Sequence, residues 1–164
     1  MSERKAAFAP VAAPDAQVLI LGSLPGEVSL AQQRYYAHPQ NRFWHLVGNA
    51  IRRDLASLAY DDRLAALRRA RIALWDTVAS ARREGSLDGA IREAAHAPLA
   101  DLVTTLPDLR AVAFNGRKSA AIGAPQLACS GLVLLELPSS SPAYASMQLA
   151  EKERLWSRLA DFLG

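Results

Sequence analysis

Four short apolar runs punctuate the chain: Val18-Leu19-Ile20-Leu21, Ile72-Ala73-Leu74-Trp75, Ala111-Val112-Ala113-Phe114 and residues 131–135. Each is bounded by polar or glycine-containing turns, the pattern of a strand buried on both faces. Between them the apolar period changes. Phe43, Trp44, Leu46, Val47, Ala50, Ile51 and Leu55 recur at helical spacing, predicting a helix over residues 42–54 with Asn41 at its N-cap. Leu64, Leu67 and Ala70 predict a second helix over 62–71, with Asp61 and Asp62 at the favourable end of its dipole. Further helices are expected over 98–106, from Arg117 onward, and over 146–163, where Leu149, Leu155, Trp156, Leu159 and Phe162 form an apolar stripe. Residues 80–94 are polar and contain two glycines, so they read as a long loop with a short helix near Ser86.

Strands alternating with helices predict an α/β fold: a single-domain, three-layer α/β/α sandwich around a central four-stranded parallel sheet. The domain is expected to span residues 17–164, after a flexible leader over residues 1–16 that ends at the Pro14-Asp15 turn. In an open parallel sheet, ligands bind outside the carboxyl ends of the strands. Here those ends carry GSLPGE from Gly22, Trp75-Asp76-Thr77, Phe114-Asn115-Gly116 and LPSSSP from Leu137, so four unusual motifs converge on one rim.

Composition narrows the chemistry. With 164 residues, 51% of them hydrophobic and 21% charged, the chain has the makings of one ordinary globular core. The net charge of +3 favours a polyanionic partner only mildly. Cys129 is the sole cysteine, which excludes an intrachain disulfide and any Cys-based zinc or iron–sulfur site. No stretch approaches the roughly 18 apolar residues of a membrane span, so a soluble, cytoplasmic protein without a membrane partner is expected. His38, His45 and His96 show no ligand spacing, which argues against a metal. The glycine turn matches neither a serine-centred elbow, a dinucleotide fingerprint nor a P-loop. What remains is Tyr35, Tyr36, His38, Asn41, Phe43 and Trp44 within ten residues. Aromatic faces with neutral hydrogen-bonding groups suit a flat polar heterocycle and a held water.

These residues resemble the uracil-DNA glycosylase superfamily. GSLPGE is similar to its first motif, YYAHPQNRFW contains the HPxNRFW pattern of the mismatch-specific enzymes, and LPSSSP resembles its second motif, a proline–serine loop that grips DNA. Together with LWDTVASARREGSLDGAIR, the likeness is to the hypoxanthine-DNA glycosylase branch and covers nearly all of residues 18–156. One departure is informative: where the mismatch-specific uracil enzymes carry a catalytic asparagine, this chain has Ser23, whereas the asparagine of HPxN, used by the hypoxanthine branch, is present as Asn41.

The resemblance implies a monofunctional enzyme that needs no cofactor and hydrolyses the N-glycosidic bond of a flipped-out base, acting as a monomer on DNA containing a deaminated base such as hypoxanthine. Asn41 would orient the water, against the alternative of a plain helix cap. Gly22, Ser23, Leu24, Pro25 and Gly26 would form the base-binding loop, with backbone N–H groups between Ser23 and Gly26 stabilising charge on the departing base, and Tyr36 would offer a stacking face. Asp76 would either read the base or fix its own loop. Ser139, Ser140 and Ser141 would donate to phosphates. Arg117 and Lys118 would either contact DNA or stay solvated, and Tyr144 or a neighbour would fill the gap left by the base. Phe43 and Trp44 read as core. The rival readings are a uracil or mixed-lesion glycosylase and a non-catalytic module that binds nucleotides or damaged DNA.

Overall fold

The computed structural model describes residues 3–164. In chain order its elements are β1 (Arg4–Ala6), β2 (Val18–Gly22), α1 (Glu27–Gln32), α2 (Phe43–Ile51), α3 (Tyr60–Arg69), β3 (Ile72–Asp76) and β4 (Val78–Arg82). A single 3-10 turn (Asp88–Ala90) precedes β5 (Arg92–His96), and α4 (Leu99–Thr104), β6 (Ala111–Asn115), α5 (Arg117–Leu127), β7 (Val133–Leu137) and α6 (Leu149–Trp156) follow; α6 tightens into a 3-10 turn over Ser157–Phe162.

The four apolar runs form a parallel sheet in the order β3-β2-β6-β7. Alternate residues of β2 serve opposite faces. Val18 and Ile20 pack with Phe43, Leu46, Leu67, Trp156 and Leu159 under α2, α3 and α6. Leu19 and Leu21 pack with Leu99, Phe114, Ala120 and Leu127 under α4 and α5. This period of two under two helical layers is the expected α/β/α sandwich. The chain runs outward from β2 to β3, then crosses back to β6 on the other side of β2. The order therefore reverses between β2 and β6, where a crevice opens beyond the strand ends. Register aligns those ends, pairing Gly22 with Asp76 and Asn115 with Leu137.

Two segments depart from the sequence pattern. The expected loop over 80–94 holds for residues 83–91, with the 3-10 turn close to the expected short helix, but its flanks are strands: β4 and β5 pair antiparallel as a hairpin, and β1 adds to the other edge of β4. Its apolar residues are too few for a clear alternation, because only Val78, Ala81 and Ile91, with Leu24, close a small core of their own. The expected leader is also built into the fold from Arg4 onward. Ala7 N–H donates to the Ala79 carbonyl at 2.9 Å, Val11 exchanges two hydrogen bonds with Leu74, and Trp75 Nε1 donates to the Phe8 carbonyl at 3.0 Å. The strap covers the β3 edge of the parallel sheet, which otherwise would expose unpaired backbone groups. Residues 1 and 2 of that leader lie outside the described residues. Among the described residues, no helix is long and apolar enough to cross a membrane.

Helix α5 lies close against the sheet because Gly123 has no side chain. A Cβ there would come within 2.4 Å of the buried Phe114 ring and 3.0 Å of Thr77 Cγ2. Alanine gains at most about 1 kcal/mol of helix propensity, whereas overpacking a closed core typically costs about 1–3 kcal/mol. Gly123→Ala is therefore expected to destabilise the fold, as a lower urea midpoint with an unchanged slope.

Candidate active site

A cavity of about 400 Å³ opens at the β2/β6 crevice, within the roughly 300–1,000 Å³ typical of small-molecule sites. Its walls come from the loop after β2, the turn before α2, the hairpin tip and the loop after β7. Gly22, Ser23, Leu24, Pro25, Gly26, Tyr36, Asn41, Asp76, Ser139, Ser140 and Ser141 all line it. Arg117 and Lys118 do not; they open α5 outside the wall, Arg117 exposed and Lys118 half-buried.

At the floor the backbone of Gly22 leaves room for two polar groups. A Cβ at this position would stand 2.6 Å from Asp76 Oδ1 and 2.9 Å from the Tyr36 hydroxyl, so any larger residue would displace both. The Tyr36 hydroxyl and Asp76 Oδ2 are buried without a hydrogen-bond partner. Orphaned polar atoms in a cavity floor are costly unless a ligand satisfies them. Tyr36 holds a left-handed backbone (φ 53°), uncommon for a bulky residue, and Phe43 stacks on its ring at 3.7 Å and 11°. One face of Tyr36 is thus already occupied by the core, where Phe43 and Trp44 both lie as expected.

The loop over residues 22–26 is held from outside. Arg83, 1% exposed, donates from Nη1 to the Leu24 carbonyl at 3.3 Å, from Nη2 to the Pro25 carbonyl at 2.5 Å and from Nε to the Gly85 carbonyl at 2.8 Å. Val78 N–H also donates to the Ser23 carbonyl at 2.9 Å. The Ser23 hydroxyl donates to Asp88 Oδ1 at 2.5 Å, tying the loop to the hairpin tip.

Asn41 closes a turn in which its N–H donates to the His38 carbonyl, while Gln40 N–H donates to His38 Nδ1 at 3.1 Å. Its Oδ1 accepts from Phe43 N–H at 3.0 Å. Helix α2 begins at Phe43, with Arg42 in the cap position, so the cap lies one residue later than expected. The capping bond nevertheless comes from Asn41, which also lines the cavity. One lone pair serves the helix, leaving a second lone pair and the amide donors.

The serine loop is similarly pinned. Asn115 and Ser140, both buried, exchange two hydrogen bonds: Asn115 Nδ2 donates to Ser140 Oγ at 2.8 Å and Ser140 N–H donates to Asn115 Oδ1 at 2.9 Å. The Ser140 carbonyl accepts from Arg42 N–H at 3.0 Å. Ser140, 1% exposed, is therefore an anchor, while the half-buried Ser139 and Ser141 hydroxyls retain their own hydrogens. Trp156 Nε1 donates to the Pro138 carbonyl, and Lys152 Nζ to the Tyr144 carbonyl at 2.7 Å, so α6 staples both ends of the loop. Among the described residues, no cluster of three metal-ligating side chains is present.

Among the wall and support residues without an individual role in the sequence reading are Arg83, Ser86, Leu87, Asp88 and Asn115. The first four lie in the loop and 3-10 turn that join β4 to β5. Only Asn115, at a strand end beside a glycine, carried a sequence signal.

Burial is the largest influence on Asp76 and raises its carboxyl to about 7, the Asp88 charge adding to the rise and Arg83 opposing it. Burial and the nearby Asp76 also raise the Tyr36 hydroxyl far above the ordinary phenol range, so it stays a donor. Because folded Asp76 binds its proton more tightly than the unfolded chain, it favours the fold below pH 4. That contribution falls as pH rises through about 7, by up to about 1.4 kcal/mol per pH unit. Asp76→Asn is expected to flatten this decline in denaturation midpoints measured between pH 5 and 8.

The Uracil DNA glycosylase superfamily model matches residues 9–161. A hypoxanthine DNA glycosylase of Methanosarcina barkeri (strain Fusaro) is 44% identical over 116 residues, 71% of this chain and 73% of that one. One of Methanosarcina acetivorans is 41% identical over 139 residues, 85% and 87% of the two chains. A solution NMR structure of a Methanosarcina acetivorans protein, described as a candidate uracil DNA glycosylase, superposes with a TM-score of 0.86 at 38% identity, covering 96% of this chain and 97% of that one. A cavity at the sheet's switch point, walled by the same motifs that resemble the family, accompanies a family match across almost the whole length, and the chain belongs to the uracil DNA glycosylase superfamily.

Proposed function

We propose that this protein is a DNA glycosylase that hydrolyses the N-glycosidic bond of deoxyinosine, releasing hypoxanthine. The observation that carries the reading is the exchange of residues along one stretch: Ser23, where the mismatch-specific pattern has asparagine, is engaged with Asp88, and Asn41 stands on the cavity wall. The two relatives of at least 41% identity named hypoxanthine DNA glycosylase support the same substrate.

The target nucleotide leaves the duplex and enters the cavity, at a cost of a few kcal/mol that is lower for a mispaired base. Hypoxanthine presents an N1–H donor beside its O6 acceptor. Ionised Asp76 accepts from the first and the Tyr36 hydroxyl donates to the second, so both orphaned floor atoms gain partners. Adenine presents the reverse pattern, an acceptor at N1 beside an amino donor: the Tyr36 hydroxyl can turn to accept from the amino group, but ionised Asp76 meets the N1 lone pair with no proton between them, so the discrimination rests on Asp76. With Phe43 covering one face of its ring, Tyr36 serves through its hydroxyl edge. Asn41 orients a water toward C1′. As the water oxygen bonds to C1′, the C1′–N9 bond breaks and its electron pair leaves with the base. Backbone N–H groups of Ser23, Leu24 and Gly26 stabilise that charge in a loop already immobilised by Arg83. Ser139 and Ser141 donate to flanking phosphates, and Ser140 holds their loop in place.

Uracil shares the donor-beside-carbonyl edge, so matched duplexes carrying deoxyinosine or deoxyuridine make the decisive panel. Faster strand cleavage at deoxyinosine after alkaline treatment is expected; cleavage at deoxyuridine alone would overturn the substrate. Asn41→Ala is expected to lower single-turnover base release at least about a hundredfold while DNA binding persists. Unchanged release would remove Asn41 from the mechanism, and absence of release by the unaltered protein would favour a binding module.

A further inference from the structure

A water attacking C1′ must lose a proton, and Asn41 has no group to take it. Four titratable side chains on the cavity wall have the chemistry to do so: Glu27, His38, Asp76 and Asp88. Glu27 is paired with Lys5. His38 accepts from Gln40 N–H through Nδ1, which places the proton of a neutral imidazole on Nε2 and leaves no free lone pair. Asp76 is buried on the floor over Gly22, where the base edge lies in the proposed pose. Asp88 remains. The 3-10 turn at the hairpin tip carries it to the wall, and the Ser23 hydroxyl fixes one of its oxygens, leaving the other outside that bond.

We infer, resting on the glycosylase reading above, that Asp88 is a further catalytic residue: a carboxylate delivered by the β4–β5 hairpin, clamped by Ser23, that removes the proton of the water attacking C1′. The step balances without a further reagent. The water oxygen bonds to C1′, its proton passes to the Asp88 carboxylate, and N9 keeps the electrons of the broken bond. Asp88 then returns the proton to solvent, and solvent protonates the released base. Ser23 is a positioning residue here. Its buried hydroxyl, the one polar side chain of residues 22–26, is spent on holding the carboxylate rather than on the substrate.

The groups facing Asp88 set its charge from several elements. Burial raises its carboxyl above the ordinary range, opposed by the Ser23 hydrogen bond, then by Arg83 on the hairpin and Lys118 on α5. Asp88 in turn sits close enough to Asp76 on β3 and to Tyr36 to raise both. Only ionised Asp88 accepts a proton, so base release falls as pH drops through its raised range.

The test is single-turnover release of hypoxanthine from a deoxyinosine duplex across pH 4.5 to 9, about the span in which a raised carboxyl titrates, for the unaltered protein, D88N, S23A and D76N. Affinity for a duplex bearing a tetrahydrofuran abasic analogue is measured in parallel. D88N is expected to lose at least about a hundredfold in rate, with abasic-duplex affinity within about threefold, and its residual rate should keep only the acid limb that Asp76 imposes through base recognition. S23A should keep the limb but move it to higher pH, because a hydrogen bond that favours the ionised form is gone. D76N should retain a limb. A D88N rate within about threefold of the unaltered protein, or a D76N profile with no acid limb, overturns the inference while leaving the glycosylase reading intact. No release by the unaltered protein from any lesion duplex would remove both.

Discussion

The absence of a side chain at Gly22 is the constraint on which the site depends. Parallel register places Gly22 beside Asp76, and the Asp76 carboxylate and Tyr36 hydroxyl converge over the space a Cβ would fill. The strand end thereby becomes a polar floor inside an apolar sheet. Asp76 Oδ2 and the Tyr36 hydroxyl have no close hydrogen-bond partner, although the Asn115 side chain stands near the hydroxyl, so folding carries much of their desolvation as a cost. A bound base with a matching edge would remove that cost, which couples recognition to the most buried part of the domain.

Everything around this floor restricts motion by consuming hydrogen-bonding capacity. Arg83 holds three carbonyls, two of them in the glycine loop; Asn115 holds Ser140; α6 holds Pro138 and Tyr144 through Trp156 and Lys152. Preorganised donors stabilise developing charge without reorganising during reaction, and side chains locked by surrounding bonds provide that rigidity. Arg83 and Lys152 are instructive because both are cations buried largely against backbone carbonyls. Burial lowers the affinity of each for its proton; the charges of Asp88, Glu27 and Asp76 oppose this at Arg83, whereas Arg42 adds to it at Lys152. Their positive charge therefore acts locally, on loops, more than as a surface field for DNA.

The hairpin links the two halves of the site. It grows directly out of β3, so Asp76, Arg83 and Asp88 share one short stretch of chain: one forms the floor, one fixes the neighbouring loop, and one reaches the wall. The strap over residues 4–16 supports this arrangement from outside, pairing with β4 and covering β3. Superfamily membership accounts for the sheet and rim motifs, while the hairpin supplies the acidic group that the glycine loop lacks.

The sequence by itself determined the four-stranded parallel sheet, its helical layers and the rim on which the motifs converge, because long-range burial on two faces leaves continuous apolar runs and 3.6-residue periodicity. It also brought Asp76 and the residues 22–26 loop to one cavity, since they follow strand ends whose position the sheet dictates, while Tyr36 and Asn41, beyond α1, were assigned to the site by the resemblance. Only the tertiary structure decided that Phe43 occupies one face of Tyr36, that Ser140 is an anchor, and that Arg83 and Asp88 belong to the site. Those outcomes rest on contacts between residues 7 to 65 positions apart and on a hairpin with too small a core to leave a period. Hydrogen bonds formed across such separations leave no local pattern in the chain, so they become visible only once the fold has brought the partners together.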